Sequence, residues 1–373
     1  VNLLAAGTNE DLAQISNVLI YSSMAVYTLA FLAYIAEWSL GSRSKVARTA
    51  AALTPGAATA TTAPKIQVAK KGGGTAVLEK PETVPGTTGD APAVVTRSTS
   101  GHRDVPDGPG AAGGTEQGDL YGHIAISLTV LAFLVQAGGV VARALSVQRA
   151  PWGNMYEFSI TFSAVAVGTF LGFLAAKKNV RWMGLLLVAT VLVDLGIATT
   201  WLYTDSAQLV PALHSYWLWI HVSTAIFCGA VFYLGAVGTG LYLFRDSYET
   251  KLAAGGTPSA FARSVLERLP SAASLDKFAY RVNAMVFPLW TFTIIAGAVW
   301  AGDAWGRYWG WDAKEVWSFI TWVAYAAYLH ARATAGWKGR KAAYLALIAF
   351  GCWLFNYYGV NIFVSSKHSY AGV

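Results

Sequence analysis

The chain has 373 residues, 55% of them hydrophobic and only 13% charged, about half the charged share of a soluble globular domain. With a mean hydropathy of +0.43, this excludes a disordered chain, a nucleic-acid module and most soluble enzymes, and fits a polytopic membrane protein. The net charge of +7 reads as cytoplasmic Lys and Arg marking orientation, and fifteen tryptophans exceed what interfacial belts alone require.

Eight apolar runs are long enough to cross hydrocarbon: 15–38, 123–145, 156–176, 181–200, 217–244, 284–302, 317–335 and 342–364. The first is too long for a cleaved signal, lacks a basic start, and is followed by Arg43, Lys45 and Arg48. Residues 49–118 are rich in Ala, Gly, Thr and Pro with almost no aromatic side chain, so they read as a disordered cytoplasmic insertion. His102 falls inside it and is no ligand. His123 opens the second span on the inner side.

Basic groups recur at Lys177, Lys178 and Arg181, then through 245–281, then at Arg332, Lys338, Arg340 and Lys341. With an even number of spans and both termini external, all four basic groups fall on the cytoplasmic side. Arg143 and Arg149 fit this scheme less well. The expected fold is an all-α polytopic helix bundle of about eight transmembrane helices. It divides into a first helix with flanks (1–48), the insertion (49–118) and a seven-helix core (119–373). Cys228 and Cys352 lie far apart in apolar runs without a CxxC, and read as small buried hydrophobes.

The outer loop between the sixth and seventh spans holds five of the fifteen tryptophans within 300–317: Trp300, Trp305, Trp309, Trp311 and Trp317. Interleaved glycines let flat surfaces approach the backbone, and a helical loop would place Trp305 and Trp309 on one face. The expectation is a platform for a large flat ligand. Three of the six histidines, His214, His221 and His368, flank this loop on the same membrane face. Imidazoles bracketing an aromatic platform suggest axial ligands to a flat metal complex, haem above all. Arg307, Lys314 and Lys367 lie in the same outer segments as partners for its propionates. His330 stands alone in the lower part of the seventh span, roughly 20 Å below Trp317, and Asp194 lies inside the fourth. Intramembrane ionisable groups are functional candidates by default.

Trp305-Gly-Arg-Tyr-Trp309-Gly-Trp311-Asp312 resembles the WGxxWxWD signature of haem-handling membrane proteins. Lys314-Glu315-x-Trp317, Trp322 and His330-Ala-Arg are similar to the CcsA/ResC branch of the system II cytochrome c biogenesis machinery. So are Pro151-Trp-Gly-Asn154-Met-Tyr156-Glu157, the 209–222 block around His214 and His221, and Asn361 through His368-Ser-Tyr370. The likeness runs in order over about residues 120–373.

The resemblance implies that haem b, as transported ligand and substrate, crosses an energy-transducing membrane and is joined outside to the CxxCH cysteines of apocytochrome c. His221 and His368 would be the external iron ligands, His330 a transmembrane ligand on the way out, and His214 a reserve. Trp305, Trp309 and Trp311 would hold the ring, with Asp312 accepting loop amides or neutralising Arg307. A second transmembrane histidine found in fused versions is missing, which implies a separate ResB/CcsB-type membrane subunit; His123 is a weak substitute. A thioredoxin-like thiol reductant is a further implied partner, and nucleic acid is not one.

No nucleophile or acid–base pair looks built for covalent catalysis, so the chain reads as one subunit of a synthase. CcmC-like exporters and CcmF-like synthases share the tryptophan signature, but the former are shorter with fewer spans and the latter much longer. A membrane glycosyltransferase also carries a WWD motif, yet Asp312 here is followed by Ala-Lys and the loops lack metal-binding carboxylate clusters. A structural subunit anchored by its tryptophans is the remaining reading.

Overall fold

The computed structural model describes residues 8–41, 105–209 and 215–368, and the described residues are helical throughout the spans. Helices α1 (Glu10–Gly41) and α2 (Glu116–Val147) pair lengthwise, followed by α3 (Met155–Ala175) and α4 (Gly184–Thr200). Then come α5 (Ser223–Ala253), the short α6 (Ala260–Leu266) and the long α7 (Ala272–Trp305). The bundle closes with α8 (Ala313–Ala333), α9 (Arg340–Leu354) and one turn of α10 (Val360–Phe363). Two π turns interrupt the regular winding: Leu218–Val222 leads into α5, and Phe355–Gly359 joins α9 to α10.

Helix starts follow the local chemistry. Thr115, Asn154, Ser259 and Ser271 each accept a backbone N–H from the first turn they precede. Such caps satisfy donors that a helix cannot pair internally.

Seven helices among the described residues are long and apolar enough to cross a membrane. The predicted seventh span, α8, is not one of the seven. It has 21 residues, roughly 32 Å of helix, so length is not what it lacks. Lys314, Glu315, His330 and Arg332 near its ends dilute its hydropathy. It packs beside α9 and α7, and Phe232 of α5 stacks on its Tyr325 at 3.9 Å.

The predicted basic groups that lie in described residues gather at one end of the bundle, tied by ion pairs and carbonyl contacts. Arg181 bridges Glu37 of α1 (2.6 Å) and Asp119 of α2 (2.7 Å). Arg332 pairs with Asp276, and Arg340 with Asp246. Arg268 donates to the carbonyls of Ala111 and Trp38. His123, at this same end, is exposed and pairs with Asp119 at 3.2 Å.

Composition assigns 105–118 to the insertion; the structure moves that boundary. Gly108 N–H donates to Leu269 O, the Asp107 carboxylate accepts from Ser271, and α2 already begins at Glu116. Backbone pairing, absent from any composition rule, holds this glycine-rich stretch against the core. His102 and the rest of the insertion lie outside the described residues.

Arg143 and Arg149, at the opposite end, are committed to an ion-pair network. Both are ion-paired with Glu157, at 3.0 and 2.7 Å, and Glu157 also accepts the Gly153 N–H at 2.8 Å. Arg143 and Glu157 are fully buried. Each arginine donates onward to the 204–207 connection, at Thr204 O and Ala207 O, so one carboxylate joins α2, α3 and the α4–α5 loop. Breaking a buried pair by removing one partner costs about 3–5 kcal/mol, because the other charge is left uncompensated. Glu157→Leu is therefore expected to lower detergent-solubilised unfolding stability by that order, measured by thermal or denaturant unfolding. Glu157→Gln, which keeps one acceptor oxygen for these donors, should lose less.

Candidate functional site

At the end opposite the basic groups, α3, α5, α7, α8 and the 355–361 segment enclose a cavity of about 240 Å³. Its walls are largely aromatic: Trp152, Phe158, Trp290, Trp300, Trp305, Tyr308, Trp309, Trp353 and Tyr357. Two histidines, His221 and His368, line the same cavity although 147 positions separate them in sequence (368 − 221).

His221 sits in the first π turn. Its Nδ1 lies 2.9 Å from the carbonyl oxygen of Thr293, which can only accept, so Nδ1 carries the proton and Nε2 keeps its lone pair. The ring lies flat against α7: a Cβ on Gly297 would stand 2.6 Å from His221 Cε1 and 2.9 Å from Nδ1. Glycine at 297 is thus what lets the imidazole reach Thr293. Trp300 closes over the ring at 5.9 Å between centroids.

His368 follows α10 and is held from another direction. Its Nδ1 lies 2.8 Å from Asp312 Oδ2, and Trp305 packs edge-on at 4.9 Å. A neutral imidazole donating to that carboxylate again leaves Nε2 free. Metal-binding histidines characteristically tie their other ring nitrogen to a carbonyl or carboxylate in this way. Burial lowers the His368 pKa from its ordinary 6.5, although the Asp312 hydrogen bond works against it. For Asp312, burial raises the pKa, but the Lys367 N–H and His368 outweigh it and hold the carboxyl below the usual range. The Asp312 contribution is present above the ordinary carboxylate pKa and lost as pH falls through the lowered one.

The tryptophan loop is not helical, so Trp305 and Trp309 do not share a helix face. α7 ends at Trp305 on Gly306, whose φ of +67° is the left-handed cap that glycine supplies best. The loop is then shaped by Glu315, which the sequence reading quotes in the motif before Trp317 but gives no role. Its carboxylate accepts from Arg307 Nη1 (3.0 Å), Gly310 N–H (2.8 Å) and Asp312 N–H (3.0 Å). The last completes a capping box at the start of α8. Glu315, not Asp312, neutralises Arg307 and takes the loop amides; Asp312 instead holds His368 and the Lys367 N–H. The signal was present as the D-x-x-E spacing from Asp312 to Glu315.

The remaining predicted residues separate. Trp309 joins Trp305 in the cavity wall, whereas Trp311 is 70% exposed and absent from it. The Trp311 backbone, at φ +57°, turns its side chain away, leaving an edge contact to Trp309 at 5.8 Å. Lys314 lines the cavity and donates to the Asn356 carbonyl; Arg307 does not line it, being committed to Glu315. His330 is exposed on α8 and is not part of the cavity. His214 lies outside the described residues. Trp152, Trp290, Trp300, Tyr308 and Asn356 belong to the wall without having been singled out as site residues.

The fold and cavity define an integral membrane protein with an aromatic pocket and two preoriented imidazoles at one end. The Cytochrome C assembly protein family matches residues 152–368, more than half of the chain, and the chain belongs to that family. It is similar to the cytochrome c biogenesis protein CcsA of Microcystis aeruginosa, 38% identical over 273 residues, covering 61% of this chain and 81% of the relative. The CcsA of Synechococcus elongatus is 39% identical over 281 residues, covering 64% and 85%. That of Thermosynechococcus vestitus is 43% identical over 194 residues, covering 44% and 60%.

Gly297→Ala should push His221 off Thr293, which would weaken a metal porphyrin ligated through His221 about 10–100-fold, as loss of an orienting contact does elsewhere. Absorbance titration of the purified protein checks this. Gly196→Ala, where a Cβ meets nothing within 4 Å, is the matched control and should titrate like the parent.

Proposed function

We propose that this chain holds haem at the tryptophan-loop end of the bundle and presents it to apocytochrome c during c-type cytochrome biogenesis. One observation carries the reading: His221 and His368 line one aromatic cavity, each with Nδ1 committed to an acceptor and Nε2 free. Haem iron takes imidazole nitrogen, and the porphyrin needs apolar cover. Along α7, the contacts of His221 at Gly297 and Trp300 and of His368 at Trp305 are five to eight residues apart, roughly 8–12 Å. That spacing leaves room for a flat ring between the two imidazoles. Buried polar atoms around the cavity also lack partners: Nε1 of Trp290, Trp300 and Trp309, and Asn356 Oδ1. Orphaned groups of this kind are costly, and a ligand bearing carboxylates would relieve the donors.

In this scheme His221 and His368 ligate the iron while Trp300, Trp305, Trp309 and Trp152 cover the ring. Lys314 offers the cationic group nearest a propionate, since Arg307 is held by Glu315. The protein supplies position and protected ligation; thioether formation resides in the haem vinyls and the two CxxCH thiols. A thioredoxin-like reductant keeps those thiols available. The tryptophan-loop end faces outward, because the basic loops gather at the other end and basic loops stay cytoplasmic. The N-terminal flank of α1 and the C-terminal flank of α10 then lie outside, in an energy-transducing membrane.

His330 belongs to the inward half of α8, on an exposed strip with Phe319, Val323 and Ala327. We assign that strip to a ResB/CcsB-type partner subunit, with His330 receiving haem b before it reaches the outer cavity.

His221→Ala and His368→Ala should each abolish the six-coordinate, bis-histidine haem spectrum of the purified complex, and added imidazole should restore it. Retention of that spectrum in both variants rejects the assignment. The lowered His368 pKa adds a pH signature. In the haem-free protein the His368 imidazole should stay mostly neutral at pH 6.5, where an ordinary imidazole is half protonated, as read from its ring resonances by NMR.

A further inference from the structure

Asp194 lies deep in α4 and takes no part in the site described above. Its Oδ1 accepts the Tyr358 hydroxyl at 2.8 Å, the Ser159 and Ser163 hydroxyls stand beside it, and Oδ2 is buried without a partner. Burying an acid at this depth is expensive, and an apolar residue would fill the space at lower cost. The position of Tyr358 explains what the acid holds.

Tyr358 belongs to the π turn Phe355–Gly359. Such a turn accommodates an extra residue, and one residue in an α-helix is roughly 100° of rotation. The register of this turn therefore sets the direction of everything after Gly359, including the segment that ends at His368. The turn is pinned by side chains from surrounding helices. Tyr357 Oη lies 2.7 Å from Ser159 Oγ and donates to the Met155 carbonyl at 3.2 Å. Lys314 takes the Asn356 carbonyl, and Asn361 Nδ2 takes the Tyr357 carbonyl at 2.7 Å. Tyr358 to Asp194 is the attachment to α4. Asn356, Tyr357, Asn361 and His368 all line the cavity.

We propose that Asp194 is a positioning residue for the His368 ligand: by holding Tyr358 it fixes the π register that delivers His368 to Asp312 and the cavity. The role assigned to His368 rests on the haem reading above, but the register itself does not. Asp194 touches no ligand; an acceptor for the Tyr358 hydroxyl is what the position must supply.

The test uses full-length protein purified with its partner, in parent form and as Asp194→Leu, Tyr358→Phe and Asp194→Asn. Asp194→Leu and Tyr358→Phe should reduce the six-coordinate haem signal to that of His368→Ala, with added imidazole restoring it. Asp194→Asn, whose amide oxygen still accepts from Tyr358 and whose amide N–H can reach Ser159 or Ser163, should keep the signal. Amide hydrogen exchange of the haem-free protein gives a second readout. Peptides spanning 355–364 should exchange roughly tenfold faster in the Leu and Phe variants and at the parent rate in the Asn variant, as expected for one lost hydrogen bond. Unchanged exchange in Asp194→Leu overturns the proposal, as does an Asn variant that behaves like the Leu variant. A parent protein that takes up no haem while the exchange pattern holds rejects the haem reading and leaves Asp194 as the register lock.

Discussion

The carboxylate of Glu315 is the interaction on which the cavity end of the bundle depends. The chain from Gly306 to Asp312 is irregular backbone at the mouth of a membrane helix pair, and irregular backbone there must find its own hydrogen-bond partners. Glu315 supplies them for Gly310 and Asp312 while neutralising Arg307. Tightness is built in at Gly310, where a Cβ would collide with the Arg307 guanidinium at 1.8 Å. Because Glu315 serves the backbone of Asp312, the side chain of Asp312 is left to hold His368 and Lys367. One carboxylate organises the loop, and a second, three residues earlier, carries the imidazole.

The two imidazoles are held by different kinds of support. His221 rests on a helix surface, its partner a main-chain carbonyl and its space guaranteed by the missing side chain of Gly297. His368 hangs from a short segment beyond the last helical turn, and its partner is an ionised side chain. Both supports sit beside π turns, where the helix gives up regular pairing. The freed carbonyls are not left bare: Leu218 O accepts from Trp152 Nε1, and the Tyr357 carbonyl from Asn361. Departures from α geometry thus coincide with the residues that face the cavity, as they do at many functional sites.

Most of the architecture was legible because hydropathy over twenty residues is a strong signal. The histidine and tryptophan clusters were legible because these residues are scarce and their placement is uneven. Other features depend on single-residue geometry. An extra residue in a π turn changes no pattern that periodicity detects, so the register at Phe355–Gly359 was invisible. The D-x-x-E spacing from Asp312 to Glu315 signals a helix start, but only folding brings the Glu315 carboxylate under the Gly310 amide and beside Arg307. Trp311 looked equivalent to Trp309 until its positive φ turned it outward. Arg143 and Arg149 read as dissent from the orientation scheme because a buried ion pair with Glu157 cannot be told from free basic residues by composition.

The joint between α1 and the chain that returns at α2 has a consequence for how the protein tolerates change. Gly41 and Gly113 are in direct contact, close enough that a Cβ on Gly113 would stand 2.3 Å from the Gly41 carbonyl oxygen. Arg268 clamps both sides of the seam, through Trp38 and Ala111. The bundle is therefore already closed on itself where the long connection leaves and re-enters. Each doubling of such a connection adds only about 0.6 kcal/mol of closure entropy. A change in the length of that connection is therefore expected to leave the seam, and the cavity at the far end, as they are.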